Sequence, residues 1–139
     1  MGWDPADVPD PQDDQTFERS RLDWAELDKE PHADLLEWHR RLVALRRSRP
    51  ELTDGRLDRV HCTWDELAGW FVVYRSGIAV VCNLADERQT VPLHGSPDGV
   101  LLASKHGFVY RAREIDLDGS SVAIVTLVDE RDEPPLRAL

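Results

Sequence analysis

Asp13 and Asp14 are the first residues whose types and spacing suggest chemistry. Two carboxylates can serve as acid and base only if their side chains converge across one bond. Adjacent residues need not converge, and the pair reads as a solvated acidic loop. No catalytic residue is assigned. His32, His39, His61, His94 and His106 show neither HxxxH nor HExxH spacing, so no metal site and no cofactor is expected. Cys62 and Cys82 fit no CxxC or zinc pattern. They read as small apolar residues in two strands. No serine sits in a G-x-S-x-G setting, and there is no glycine-rich phosphate loop. The five tryptophans invite a different chemistry, since an indole face pairs well with a pyranose face. Trp24 is the best stacking candidate, with core packing as the competing reading. Trp38 falls in an apolar stripe, Trp64 and Trp70 flank a hairpin and are expected to pack across it, and Trp3 stands near the start.

The charge balance narrows the partners. Lys and Arg number 17 against 27 Asp and Glu, a formal net charge of −10. That field repels a phosphate backbone and an anionic bilayer, so neither nucleic acid nor membrane is an expected partner. A neutral sugar polymer stays compatible with it. No apolar run approaches the ~20 residues that span a bilayer. The opening Met1-Gly2-Trp3-Asp4-Pro5 lacks a basic and an apolar signal region, so a cytoplasmic location is expected.

The elements that must position these residues change character along the chain. Residues 1–31 are rich in Pro and Asp and read as an extended loop, with a short helical turn over Thr16 to Ser20. Residues 32–49 read as an amphipathic helix. Leu35, Trp38, Leu42 and Leu45 line one face, Leu36 and Val43 widen it, and Pro50 ends it. From residue 57 the period becomes two. Strands are expected around 60–64, 70–75, 78–84, 89–94, 99–104, 113–117 and 121–127, with breaks at 95–99 and at Asp118-Gly119. The run from Ile78 to Leu84 is apolar almost throughout, as in a central strand with Val80 buried at its middle. The tail from Asp129 to Leu139 is expected to fray. Hairpins at this spacing predict a mainly β fold, an antiparallel sandwich-like domain behind a loop and one helix.

Three segments carry a family likeness. LLEWHRRLVALRRSRPEL followed by GWFVVYRSGIAVVCNLADERQTVPL resembles the end of α-amylase superfamily enzymes. There a last barrel helix with a "yrkLiaLRr..p.l" pattern precedes a C-terminal β domain with a "vvvNlsde" strand and turn. Leu42, Leu45, Arg46, Arg47, Pro50 and Leu52 match the first pattern. Val80, Val81, Asn83, Leu84, Ala85, Asp86 and Glu87 match the second. Asp10-Pro11-Gln12-Asp13 and Thr16 through Trp24 are similar to the "DPQDpaTFerSkLdW" stretch of the malto-oligosyltrehalose trehalohydrolases, with Arg21 where Lys is usual.

The resemblance implies a parent reaction, retaining hydrolysis of the α-1,4 bond next to a terminal trehalose unit, which needs two carboxylates about 5 Å apart. It implies that these carboxylates lie on earlier strands of a barrel that takes ~250 residues, so none of the acids here inherits the role. Residues 1–54 are then the remnant of a truncated (β/α)8 barrel, 55–128 the C-terminal β domain and 129–139 a flexible tail. The front segment corresponds to a loop over the barrel's active face, where Gln12, Asp13 and Arg19 would touch sugar hydroxyls. The expected partners are the catalytic barrel and a malto-oligosaccharide. A stand-alone carbohydrate-binding module and a ligand-free interface domain are the alternatives.

Overall fold

A computed structural model describes residues 8–128. Trp3 and the 129–139 tail lie outside the described residues. The chain divides into two compact units, one up to Glu37 and one from Trp38 onward.

The first unit is built from local capping. The Asp10 carboxylate accepts from the Gln12 backbone N–H at 2.9 Å, and the Asp10 carbonyl accepts from Asp13 N at 3.1 Å. Pro11, with its fixed φ, suits the second position of such a turn. The turn delivers Asp13 as N-cap of helix α1 (Asp14–Ser20), where its side chain accepts from Gln15 N at 2.9 Å. Asp23 repeats the device on a 3-10 turn, Trp24–Glu26. The helical turn expected over Thr16 to Ser20 is present and begins two residues earlier.

Helix α2 runs from His32 to Ser48. Its second half, in the second unit, is followed by 3-10 turns at Pro50–Leu52 and Leu57–Arg59. Among the described residues that unit has eight strands: β1 (Val60–Asp65), β2 (Trp70–Arg75), β3 (Ile78–Asn83), β4 (Gln89–Pro92), β5 (Ser96–Ala103), β6 (Val109–Arg111), β7 (Glu114–Leu117) and β8 (Ser121–Val128). They form two antiparallel sheets, in the orders β1-β2-β3-β8-β5 and β4-β7-β6. Ser76 and Gly77 turn β2 into β3, both at positive φ.

Residues directly opposite across an antiparallel pair share a face. Val72 faces Val81, which faces Ala123; Tyr74 faces Ala79, which faces Val125. This face meets Val91, Leu93, Ile115 and Leu117 of the second sheet region, and together they make the main core. The opposite face holds Ile78, Val80, Ile124 and Leu102, against which Trp38, Leu42, Leu45 and Leu52 pack. The expected sandwich is therefore present, with the helix laid on its outer face.

Several expectations change in detail. Val80 is half-buried under the helix, whereas its neighbour Val81 is wholly buried between the sheets. Val43 is 48% exposed, and Leu35, in the first unit, is 55% exposed. The stripe that packs is Trp38, Leu42 and Leu45, narrower than the periodicity suggested. Trp64 pairs with Phe71, which places it on the face opposite Trp70; the two indoles do not pack across the hairpin. Cys62 and Cys82 do lie in two strands, β1 and β3, as free thiols.

The segment between α2 and β1 is tied down by charge. The Arg75 guanidinium donates to the Asp54 carboxylate, and both side chains are about one-quarter exposed or less. Arg75 first, and then the Arg56 backbone N–H, hold the Asp54 carboxyl below its ordinary range. A carboxyl lowered on folding stabilises the protein above its unfolded value, near 4, and loses that contribution as pH falls through its folded value. Arg75→Met should therefore lower stability at neutral pH and make the acid limb of the stability curve shallower. Urea melts of both proteins from neutral pH downward check this; parallel curves would remove the assigned coupling.

Candidate functional site

Gln12, Asp13, Arg19 and Trp24 all lie in the first unit and all are exposed. Gln12 occupies the turn before α1. Asp13 caps the helix through Gln15 N. Arg19, one turn on, donates to Gln15 Oε1 at 3.2 Å. Asp13 and Arg19 are thus linked through one intervening residue, and their polar groups face solvent. Trp24 opens the next 3-10 turn with 72% of its surface exposed. It does not pack into the core formed by the described residues. Phe17 and Leu22 are exposed too, at 67% and 76%. The unit offers a carboxylate, an amide, a guanidinium and an indole, the groups that bind sugar hydroxyls and ring faces, on a loop-and-helix frame.

Glu30 and Asp34 form a carboxyl pair that sequence reasoning did not single out. Their side-chain hydrogen bond is the chief cause holding the Glu30 carboxyl above its ordinary range. Glu30 also takes a hydrogen bond from the Asp34 backbone N–H, which makes it a cap for the start of α2.

In the second unit the polar groups mostly build structure. Asn83, only 1% exposed, ends β3 facing the core. Its amide N–H groups donate to the carbonyls of Glu87 (2.8 Å), Leu117 (3.1 Å) and Asp118 (3.0 Å), and its oxygen accepts from Ala85 N at 3.0 Å. The asparagine of the NLADE segment therefore joins the first sheet to the end of β7. Gly119 completes the joint, because a Cβ there would be driven into the Asp86 carbonyl. His61, Tyr74 and His94 gather at one edge, with the Tyr74 and His94 rings stacked at 4.6 Å and the imidazoles 5.2 Å apart. Two imidazoles supply two ligands where structural zinc takes four. Among the described residues no group of three or more His, Cys, Asp or Glu converges. An open cleft lined by Pro92, Leu93, Arg111 and Glu114 contains none of the expected site residues. Among the described residues no helix is long and apolar enough to cross a membrane.

Residues 55–124 match the family described as "Domain of unknown function (DUF3459)", and the chain belongs to that family. Its relatives give the family a context. The chain is 42% identical over 125 residues to the malto-oligosyltrehalose trehalohydrolase of Brevibacterium helvolum, covering 90% of this chain and 20% of that protein. It is 45% identical over 128 residues to the enzyme of the same name from Arthrobacter ramosus, covering 91% and 21%. The chain thus spans about one-fifth of the length of these relatives. Among solved structures, a Salmonella typhimurium protein described as a candidate alpha amylase superposes with a TM-score of 0.65 at 25% identity, over 86% of this chain and 20% of that one. Trehalulose synthase MutB from Pseudomonas mesoacidophila MX-45 gives 0.55 at 19% identity, over 65% and 17%, a likeness of fold.

Proposed function

We propose that this chain is the C-terminal part of a malto-oligosyltrehalose trehalohydrolase. That enzyme hydrolyses the α-1,4 bond next to the terminal trehalose unit of a maltodextrin, and this part supports the catalytic barrel without supplying its carboxylates. The observation that carries the reading is identity of 42–45% over nine-tenths of the chain to two enzymes of that name. Residues 1–54 then belong with the barrel and 55–128 form the β domain behind it. In that setting Gln12, Asp13, Arg19 and Trp24 contact a malto-oligosaccharide held by the barrel, through hydroxyl hydrogen bonds and ring stacking. Two free thiols in the β domain suit a reducing cytoplasm.

Purified 139-residue chain should release no trehalose from malto-oligosyltrehalose. Put in place of the matching segment of the Brevibacterium helvolum relative, it should give a protein that does. Trehalose release by the chain alone, abolished by a point mutation in it, would overturn the assignment of a supporting role. An inactive but folded fusion would count against the trehalohydrolase reading itself.

A further inference from the structure

The outer face of the second sheet carries a groove that the proposed function does not use. Residues opposite one another across β4, β7 and β6 share that face. They form two rows, Thr90–Asp116–Val109 and Pro92–Glu114–Arg111. The alternate residues Val91 and Ile115 belong to the core. Two recesses lie along the rows. One, of about 530 Å³, is lined by Pro92, Ser96, Arg111, Arg113 and Glu114 among others, a size that suits a small-molecule ligand. The other, of about 100 Å³, is lined by Thr90, Val109, Arg111, Glu114 and Asp116. Arg111 and Glu114 line both, so the two are parts of one groove. Backbone and side-chain bonds fix its walls. Thr90 Oγ1 donates to Asp116 Oδ1 at 2.7 Å, and Leu93 N donates to the Arg113 carbonyl at 2.7 Å. Ala112, between β6 and β7, has a φ of 42°, a left-handed conformation that strains an alanine. Strain of this kind gathers at ligand sites.

We infer that this groove binds an α-1,4-glucan chain, as a second sugar site built wholly within the β domain. For the class of sugar, the inference rests on the reading proposed above. Charge selects the occupant. The whole chain carries a net charge of −10, yet the groove sets two guanidiniums, Arg111 and Arg113, against two carboxylates, Glu114 and Asp116. Arg111 Nη2 lies 3.9 Å from Asp116 Oδ2. A phosphate would meet both carboxylates, and a cation would meet both arginines, so a charged ligand of either sign is opposed. An uncharged, hydroxyl-rich ligand is not. Sugar hydroxyls donate and accept at once, and the groove answers with arginine N–H donors, carboxylate acceptors and the Ser96 hydroxyl, which does either. Pro92 and Val109 add exposed apolar surface for pyranose C–H groups. The Arg111 side chain is 77% exposed, so it can reach a ligand without disturbing the fold.

Maltoheptaose titrated into the 139-residue chain tests this, with binding followed by backbone amide NMR shifts. A Trp24→Ala background removes stacking in the first unit. Saturable shifts should appear at Thr90, Ser96, Arg111, Arg113, Glu114 and Asp116. Arg111→Ala and Glu114→Ala should each weaken binding on the order of tenfold, as expected for a lost hydrogen bond to a charged group, with the rest of the spectrum unchanged. No saturable shift in the groove would overturn the inference. So would inorganic phosphate moving the same amides at lower concentration than the sugar, which would make this an anion site. Equal binding of cellohexaose, the β-1,4-linked counterpart, would overturn the α-1,4 assignment. If the chain does not fold alone, maltoheptaose bound per molecule is counted by equilibrium dialysis in the fusion with the Brevibacterium helvolum relative. Arg111→Ala should lower that count by one, and an unchanged count overturns the groove. Trehalose release by the fusion reports on the proposed function separately. Release without groove binding overturns this inference alone, and groove binding with no release by a folded fusion overturns the proposed function alone.

Discussion

Val81→Asp should unfold the β domain. Val81 has no exposed surface and faces Val72 and Ala123 across the middle of the first sheet. Its neighbours in the core are Val, Ile, Leu, Ala and Tyr, and no arginine or lysine is among them to pair a carboxylate. An unpaired buried charge costs several kcal/mol or more, against a total stability of about 5–15 kcal/mol for a domain of this size. The variant should lose its near-ultraviolet circular dichroism and elute as expanded or aggregated material. Val80→Asp, one residue away on the half-buried face beneath the helix, should cost much less, since its carboxylate can reach solvent at the helix edge. Equal midpoints for the two variants in urea would mean that the two faces of β3 are assigned wrongly.

Asn83→Leu should be the next most damaging change. The substitution keeps the volume but leaves the Glu87 and Leu117 carbonyls and the Ala85 N–H without the partner that Asn83 provides, while the Asp118 carbonyl keeps the Ser121 hydroxyl. Each buried group left unsatisfied costs about 1–3 kcal/mol, and even with partial relaxation the sum should reach about 3 kcal/mol or more. Asn83→Asp is the sharper probe. It retains the acceptor for Ala85 N but aims a carboxylate at three carbonyl oxygens, so it should be at least as destabilising despite being isosteric. Urea midpoints report both variants. A loss below about 1 kcal/mol for either would show that the joint is held by Gly119 and the backbone bond from Ser120 N to Ala85 O, and not by the amide.

The strands that sequence periodicity located are those whose residues alternate between a buried face and a polar or half-buried one. β2 follows that rule, whereas β3 and β8 are near-continuous apolar runs with residues buried on both faces; the expected bounds of all three lie within a residue of the observed ones. The failures have separate physical reasons. β6 has three residues, all exposed, too few to display a period, and it pairs along the edge of β7. β5 begins inside the Gly-Ser-Pro-Asp-Gly stretch that reads as a break. It is an edge strand with register shifts at Pro97/Gly99 and Val100/Leu102, where proline and glycine are tolerated. The opposite faces of Trp64 and Trp70 follow from register, which residue spacing within one strand does not give. The stretch read as an extended loop around Gln12 and Asp13 instead forms a turn and an N-cap, because Asp-Pro and a capping aspartate act locally. The Asn83 joint was visible only as part of a family pattern, since its partners lie up to 35 residues away. The His61–Tyr74–His94 group had no sequence signal, because His94 comes from beyond β4.

The strand order has a consequence for how the chain is made. β8, the last strand described, sits between β3 and β5 and is hydrogen-bonded to both. Until residues 121–128 have left the ribosome, β3 has one bare edge and β5 has no neighbour in its sheet. The segment between them, residues 84–120, is made before the strand that closes the five-stranded sheet. Such long-range pairing is slow and leaves sticky edges exposed meanwhile. A nascent chain halted anywhere after Asn83 would therefore present β1, β2 and β3 as an open ribbon, a ready client for a chaperone. Clipping the protein within β8 would part β5 from β3 and split the five-stranded sheet.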